Sequence, residues 1–156
     1  MFFIRPSQAI DDESVNILTA STTCELRAVY APKHQPAATN PATLTTRIVV
    51  LDHEHTIVGV AEYFALPSAL YAQGIAVAAT HRRRGIATAL LNHIENIARK
   101  MHLPAVQIKT ILETGNAAKF HQMGFQVMDE RVSERFIGLQ GQPVTEVKMQ
   151  RYVRPA

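Results

Sequence analysis

Residues 81–88 read His-Arg-Arg-Arg-Gly-Ile-Ala-Thr, so a histidine and three arginines stand directly before a glycine and a stretch of small residues. That order suits the binding of phosphate. The N–H groups in the first turn of a helix have no intrahelical partner, and the aligned peptide dipoles place partial positive charge at that end. Gly85 would let an anion approach the backbone, Ala87 would keep the approach open, and Arg82, Arg83 and Arg84 would add charge and donors. A solvated arginine face beside a glycine turn produces the same local pattern, so the run alone leaves both readings standing.

Few other side chains offer chemistry. Glu62 sits in the apolar stretch HTIVGVAEYFAL, where strand alternation puts it on the side of Val58, Val60 and Phe64. A carboxylate among such neighbours is a candidate base. Glu113 is a weaker candidate of the same kind. His53 and His55 are one residue apart with no third ligand in sight, which reads as a solvated turn, and no metal site is expected. Cys24 is the only cysteine, so neither an intramolecular disulfide nor a multi-cysteine zinc site can form.

These residues need elements to hold them. FFIRP reads as a first strand, DDESVNILTAS as a helix with an acidic start that suits the helix dipole, and TTCELRAVY as a second helix. Pro32, Pro36 and Pro41 then punctuate a loop long enough to suggest a binding edge. TTRIVVLD and HTIVGVAEYFAL form a hairpin, and LYAQGIAVAA is the strand that leads into the basic run. From Ile86 the apolar residues Leu90, Leu91, Ile94, Ile97, Ala98 and Met101 recur at helical spacing, with Glu95 and Arg99 as an i,i+4 pair on a more polar side. AVQIKTIL is a further strand, and NAAKFHQMG is a short helix capped by Asn116 and stopped at Gly124. FQVMDE and VTEVKMQRYV close the chain as strands joined by a polar connection. The alternation predicts a single α/β domain over residues 1–156, with a mixed sheet.

The composition fits that picture. With 156 residues, 47% hydrophobic and 19% charged, the chain is long enough for one well-buried core. Sixteen Lys and Arg against thirteen Asp and Glu give a formal charge of +3, too small an excess to make nucleic acid the expected partner. No stretch has the roughly 18 uninterrupted apolar residues of a membrane span, and the N-terminus has no signal-like apolar run. A cytoplasmic protein without membrane contact is expected, and an exposed strand edge makes a homodimer an option.

The segment Arg82-Arg83-Arg84-Gly85-Ile86-Ala87 resembles the coenzyme A signature of the GNAT N-acetyltransferase superfamily: Arg or Gln, two residues, Gly, one residue, Gly or Ala. NAAKFHQMGF resembles the later Asn, Ala, aromatic and Gly-Phe segment of the same family, and the element order matches throughout. The resemblance implies a mixed, mostly antiparallel central sheet with helices on both faces. It also implies an acetyl-CoA-dependent N-acetyltransferase acting on a primary amine of a small molecule or peptide by direct attack on the thioester. By the same resemblance Ile75 and Val77 would offer backbone to the pantetheine arm. Amides from Arg83 through Ile86 and Ala87 to Thr88 would cradle the diphosphate, with Asn116 and Lys119 near the opposite wall.

An amine with an ordinary pKa of about 10.4 is neutral only about once in 2,500 molecules at pH 7, so a base or water relay must remove a proton. Many members of the family carry a glutamate where this chain has Gln73, which cannot serve, so Glu62 becomes the expected base. The family's tyrosine, proton donor to the departing thiolate, is matched to His121, whose imidazole could take the role. Ala79 replaces a common proline. These departures also keep open a non-catalytic acyl-CoA sensor of the same fold.

Overall fold

The computed structural model describes residues 1–33 and 44–156. Its β-branched and aromatic stretches form eight strands: β1 (Phe3–Pro6), β2 (Tyr30–Pro32), β3 (Thr46–Leu51), β4 (Ile57–Leu66), β5 (Ala69–Val77), β6 (Ala105–Ile111), β7 (Gln126–Gly138) and β8 (Pro143–Tyr152). They make one sheet in the order β1-β3-β4-β5-β6-β8-β7-β2. Every neighbouring pair is antiparallel except β5 and β6. The helices are α1 (Asp12–Leu26), α2 (Ile86–Lys100) and α3 (Asn116–Gln122). None is long and apolar enough to cross a membrane.

The helices cover both faces, as expected. On one side Val15 and Leu18 of α1 pack on Val49, Leu51, Val60 and Ala76. On the other, Ile86, Leu90, Leu91 and Ile94 of α2 meet Ile48, Val50, Leu70 and Val106, with Ala117 and Phe120 of α3 against the same cluster. Helix α2 is seated very closely: a Cβ on Gly59 of β4 would lie 2.8 Å from Cγ2 of Ile86, the first residue of α2. Its far end is tied down by Glu95, which is 2% exposed and faces Arg99, Arg151 and Arg154. The Glu95–Arg99 pair therefore belongs to a buried junction between α2 and the last strand, rather than to a polar outer side.

Four local expectations are corrected. TTCELRAVY is no separate helix: with no Gly or Pro to break it, α1 runs on to Leu26, and Tyr30–Pro32 becomes β2, paired with the end of β7. The polar RVSERFIG is strand as well, because β7 extends to Gly138 along β8 and β2. Asn116 is the first residue of α3 rather than its cap. Gly115, at φ 80°, precedes it, and Thr114 Oγ1 accepts the Asn116 N–H at 3.2 Å. Finally, Val58 and Val60 face opposite sides of the sheet. The register moves from Val50↔Gly59 to Leu51↔Ile57, leaving Val58 as an extra residue that joins the α2 cluster while Val60 joins the α1 cluster. Glu62 thus keeps company with Val60 but not with Val58. Of the proline-punctuated loop, Pro32 ends β2, and Pro36 and Pro41 lie outside the described residues.

Candidate active site

The site begins with a defect in β5. Val60 pairs with Ala76 and Glu62 with Gln73, so the single residue Ala61 of β4 opposes both Gly74 and Ile75. Gly74 has φ 61°, a left-handed conformation that glycine adopts without steric cost, and such a bulge bends its strand. β5 parts from β6 just before this bulge: the two pair only at Leu70↔Val106 and Tyr71↔Gln107, although they continue to Val77 and Ile111. The gap between two parallel strands exposes unpaired backbone, which must find partners elsewhere.

Two cavities open at this gap. One, of about 840 Å³, is lined on one side by Val77, Arg82, Arg83, Gly85, Ile86, Ala87 and Thr88, and on the other by Asn116, Lys119 and Phe120. The second, of about 310 Å³, lies under α1 and includes Thr19, Thr22, Thr23, Tyr71, Gln73 and Glu146. Thr22, Leu26, Ile75, Asn116 and Phe120 border both. After Leu18, α1 therefore lines the gap with Thr19, Thr22 and Thr23, and its last residue, Leu26, packs against Tyr30, Ile111 and Val144.

The larger cavity has the chemistry of an anion site. The chain passes Arg83 at φ 63° and Gly85 at φ 80°, both left-handed, and enters α2 directly. Loops of this kind turn successive N–H groups toward one point, and the first turn of the 15-residue α2 adds unpaired N–H groups and the positive end of its dipole. A Cβ on Gly85 would meet nothing within 4 Å, so the glycine opens onto free space. Arg82 reaches back across the cavity mouth, donating from Nη1 and Nη2 to the two carboxylate oxygens of Glu25 in α1 at 2.8 and 2.6 Å. This pair holds the Glu25 carboxyl below its ordinary range and raises Arg82.

The smaller cavity mixes signs. Glu146 is the one carboxylate lining it among the described residues, and its side chain is 16% exposed. Its charged neighbour there is Arg135, at 3.6 Å, longer than a hydrogen bond. Burial pushes the Tyr71 phenol further up from a range in which it is already a proton-bearing donor at neutral pH.

Of the residues singled out from sequence, Ile75, Val77, Arg82, Arg83, Gly85, Ile86, Ala87, Thr88, Asn116 and Lys119 come together around the larger cavity. Arg84 is exposed and lines neither. Glu62 also lines neither. It stands behind Gln73, whose Nε2 donates to Glu62 Oε2 at 3.2 Å, and Gln73 itself faces the smaller cavity. Glu113 is occupied by the Thr145 N–H, at 3.0 Å from each carboxylate oxygen. His121 is not brought to the gap: it is exposed, its Nδ1 lies 3.2 Å from the Phe125 carbonyl oxygen, and it borders neither cavity. The ring at the junction is Phe120. Sequence reasoning missed Glu146 and Glu25, whose only signal was a carboxylate in a polar strand and a carboxylate at a helix end.

The same fold occurs among known proteins. The family model described as Acetyltransferase (GNAT) family matches residues 16–125. No curated protein matches in sequence. Among solved structures, a GCN5-related N-acetyltransferase from Kribbella flavida superposes with a TM-score of 0.74 at 20% identity, covering 97% of each chain. Spermidine N-acetyltransferase from Vibrio cholerae, in complex with CoA and spermine, gives 0.74 at 17%, covering 97% of this chain and 95% of the other. The ribosomal-protein-S18-alanine N-acetyltransferase from Escherichia coli gives 0.71 at 16%, with 100% and 96% covered. At these identities the structures share the fold.

Proposed function

Because this chain belongs to the GNAT acetyltransferase family and is an acyltransferase of that kind, we propose that it moves the acetyl group of acetyl-CoA to a primary amine of a small molecule or peptide by direct attack on the thioester. The observation that carries the reading is the meeting of two cavities at Ile75, Asn116 and Phe120. A basic, helix-headed cavity suits the coenzyme's phosphates, and a smaller polar one suits an amine. Of the similar structures, one is named for spermidine and one for an alanine of a ribosomal protein, which spans the small-molecule and peptide acceptors of this proposal.

The bound donor supplies an activated acyl group. The chain's own residues do the rest. The amides from Arg83 to Thr88 bind phosphate, with Arg82 and Lys119 adding charge, and the backbone of Ile75 and Val77 guides the pantetheine arm. Glu146 meets the incoming amine and takes its proton, in place of the Glu62 expected from sequence; Glu62 positions Gln73. No base or acid is assigned to His121. The β7 segment 126–132 extends beyond the short pairing with β2 at residues 136–138, and a second copy would dock along it.

Calorimetry with acetyl-CoA, followed by CoA release over an amine panel, tests the proposal. Binding in the low to middle micromolar range, on the order of −7 to −8 kcal/mol, is expected. Glu146→Gln should lower kcat/KM by about 10² or more and leave acetyl-CoA affinity unchanged. No heat and no thermal stabilisation at millimolar acetyl-CoA would remove the reading. One observation favours a second reading, an acyl-CoA sensor: Phe120 at the junction has no proton to give a departing thiolate. Tight CoA binding without thiol release on any amine would select it.

A further inference from the structure

The most informative group that the proposed reaction leaves unused is Glu25. It is a carboxylate inside a cavity built for anions, where it shares the wall with Arg82, Arg83 and Lys119. It sits at the C-terminal end of α1, 57 residues from Arg82, yet engages that guanidinium through both oxygens. A carboxylate in a two-pronged grip on arginine presents the same arrangement of charge and acceptors as a phosphate. Lys119, across the cavity, adds its field to that of Arg82 in keeping Glu25 ionised.

Two consequences follow if a coenzyme phosphate enters. The cavity would hold Glu25 and the phosphate on the same cations, and like charges at such distances repel. Glu25 fills the Nη1/Nη2 edge of Arg82 while Nε lies 3.4 Å from the Val77 carbonyl oxygen, so a phosphate that docks on the Nη1/Nη2 edge must take it from Glu25. The pair is open to solvent, with the Arg82 and Glu25 side chains 41% and 50% exposed, and exposed ion pairs hold weakly. Glu25 is therefore the anion that yields. Its release matters because the same end of α1 contributes Thr22 and Leu26 to both cavities.

Resting on the phosphate-site reading above, we propose that Glu25 is a built-in stand-in for a coenzyme phosphate on Arg82, and that the arriving phosphate takes Arg82 over and frees the end of α1 beside the acceptor cavity. Glu25 is then a specificity-determining residue. A donor carrying phosphate can take Arg82 from it, whereas a donor without phosphate leaves the pair in place. Through α1 it also reports donor binding to the acceptor cavity, a coupling that must run equally in both directions.

The test uses the whole chain and its Glu25→Gln variant, with CoA and inorganic diphosphate as calorimetric probes at low salt and amide exchange as the second readout. Glu25→Gln should bind CoA and diphosphate about three- to tenfold more tightly, since a competing charge has gone while the shape is kept. In the parent, CoA should speed exchange at residues 22–26. In the variant those amides should exchange at the CoA-bound rate without any ligand. A variant that binds CoA equally or less well than the parent would overturn the inference while leaving the phosphate site intact, because Glu25 would then be orienting Arg82 for the ligand or be irrelevant to it. Exchange at residues 22–26 that ignores CoA in the parent would overturn the coupling. If neither protein bound CoA, the phosphate-site reading would fall, and this inference with it.

Discussion

Gly85 separates the backbone from the charge requirement of the proposed phosphate site, because two substitutions there share one cost and differ in the other. Its φ is 80°, and an L-residue in that conformation is strained by about 1–2 kcal/mol. A Cβ meets nothing within 4 Å, so there is no clash to add. Gly85→Ala should therefore lower the melting temperature by roughly 2–8 °C for a chain of this size and change acetyl-CoA affinity only a few-fold. Gly85→Glu carries the same strain and places a carboxylate at the mouth of the cradle. At about 6 Å from one phosphate charge and an effective dielectric of about 20, the repulsion is about 2.8 kcal/mol, or roughly a hundredfold in Kd. Differential scanning fluorimetry reads the first effect and calorimetry the second. The reasoning is refuted if the two variants melt alike and bind acetyl-CoA within threefold of each other, since the diphosphate would then lie elsewhere.

Gly59→Ala should push Ile86 and with it the start of α2 off β4. A stability loss of about 1–3 kcal/mol is expected together with weaker acetyl-CoA binding, and normal binding in the destabilised variant would show that the seating of α2 does not shape the cradle. His121→Ala should keep turnover within about threefold of the parent, because the side chain lies outside both cavities, and a loss of 10² or more would return the imidazole to the chemistry. Phe120→Tyr, by contrast, places a phenol at the junction and should raise kcat where thiolate departure limits the rate, read by steady-state CoA release. The Arg5 guanidinium, through its hydrogen bonds at 2.7 and 3.0 Å, and the Gln8 N–H hold Asp11 at a pKa of about 2 against an ordinary 3.8. Stability from this group is complete above about pH 4 and lost as pH falls through 2. The melting-temperature gap between the parent and Asp11→Asn should close over that window, and a gap independent of pH would contradict the assignment.

Much of the proposed donor side of the site was legible in the sequence. A glycine that opens space, small residues after it, and apolar residues recurring from Ile86 to Ala98 are instructions carried within a few residues of chain. Helix ends bind anions by virtue of their own backbone, so Arg83, Gly85 and Ala87 could be placed without knowing what lies across from them. Only the tertiary structure decided what lines the smaller cavity, the proposed acceptor side. The bulge at Val58 reversed the side of the strand on which it faces, and the one at Gly74 bent β5 just after it parts from β6, so alternation counted along β4 misassigned the neighbours of Glu62. In α3 a step of one residue turns a side chain by about 100°, which is the whole difference between Phe120 at the junction and His121 on the surface. Glu25 and Glu146 acquired their places from partners distant in sequence. A local pattern cannot carry such contacts, because they exist only once the sheet and α1 have closed around the gap.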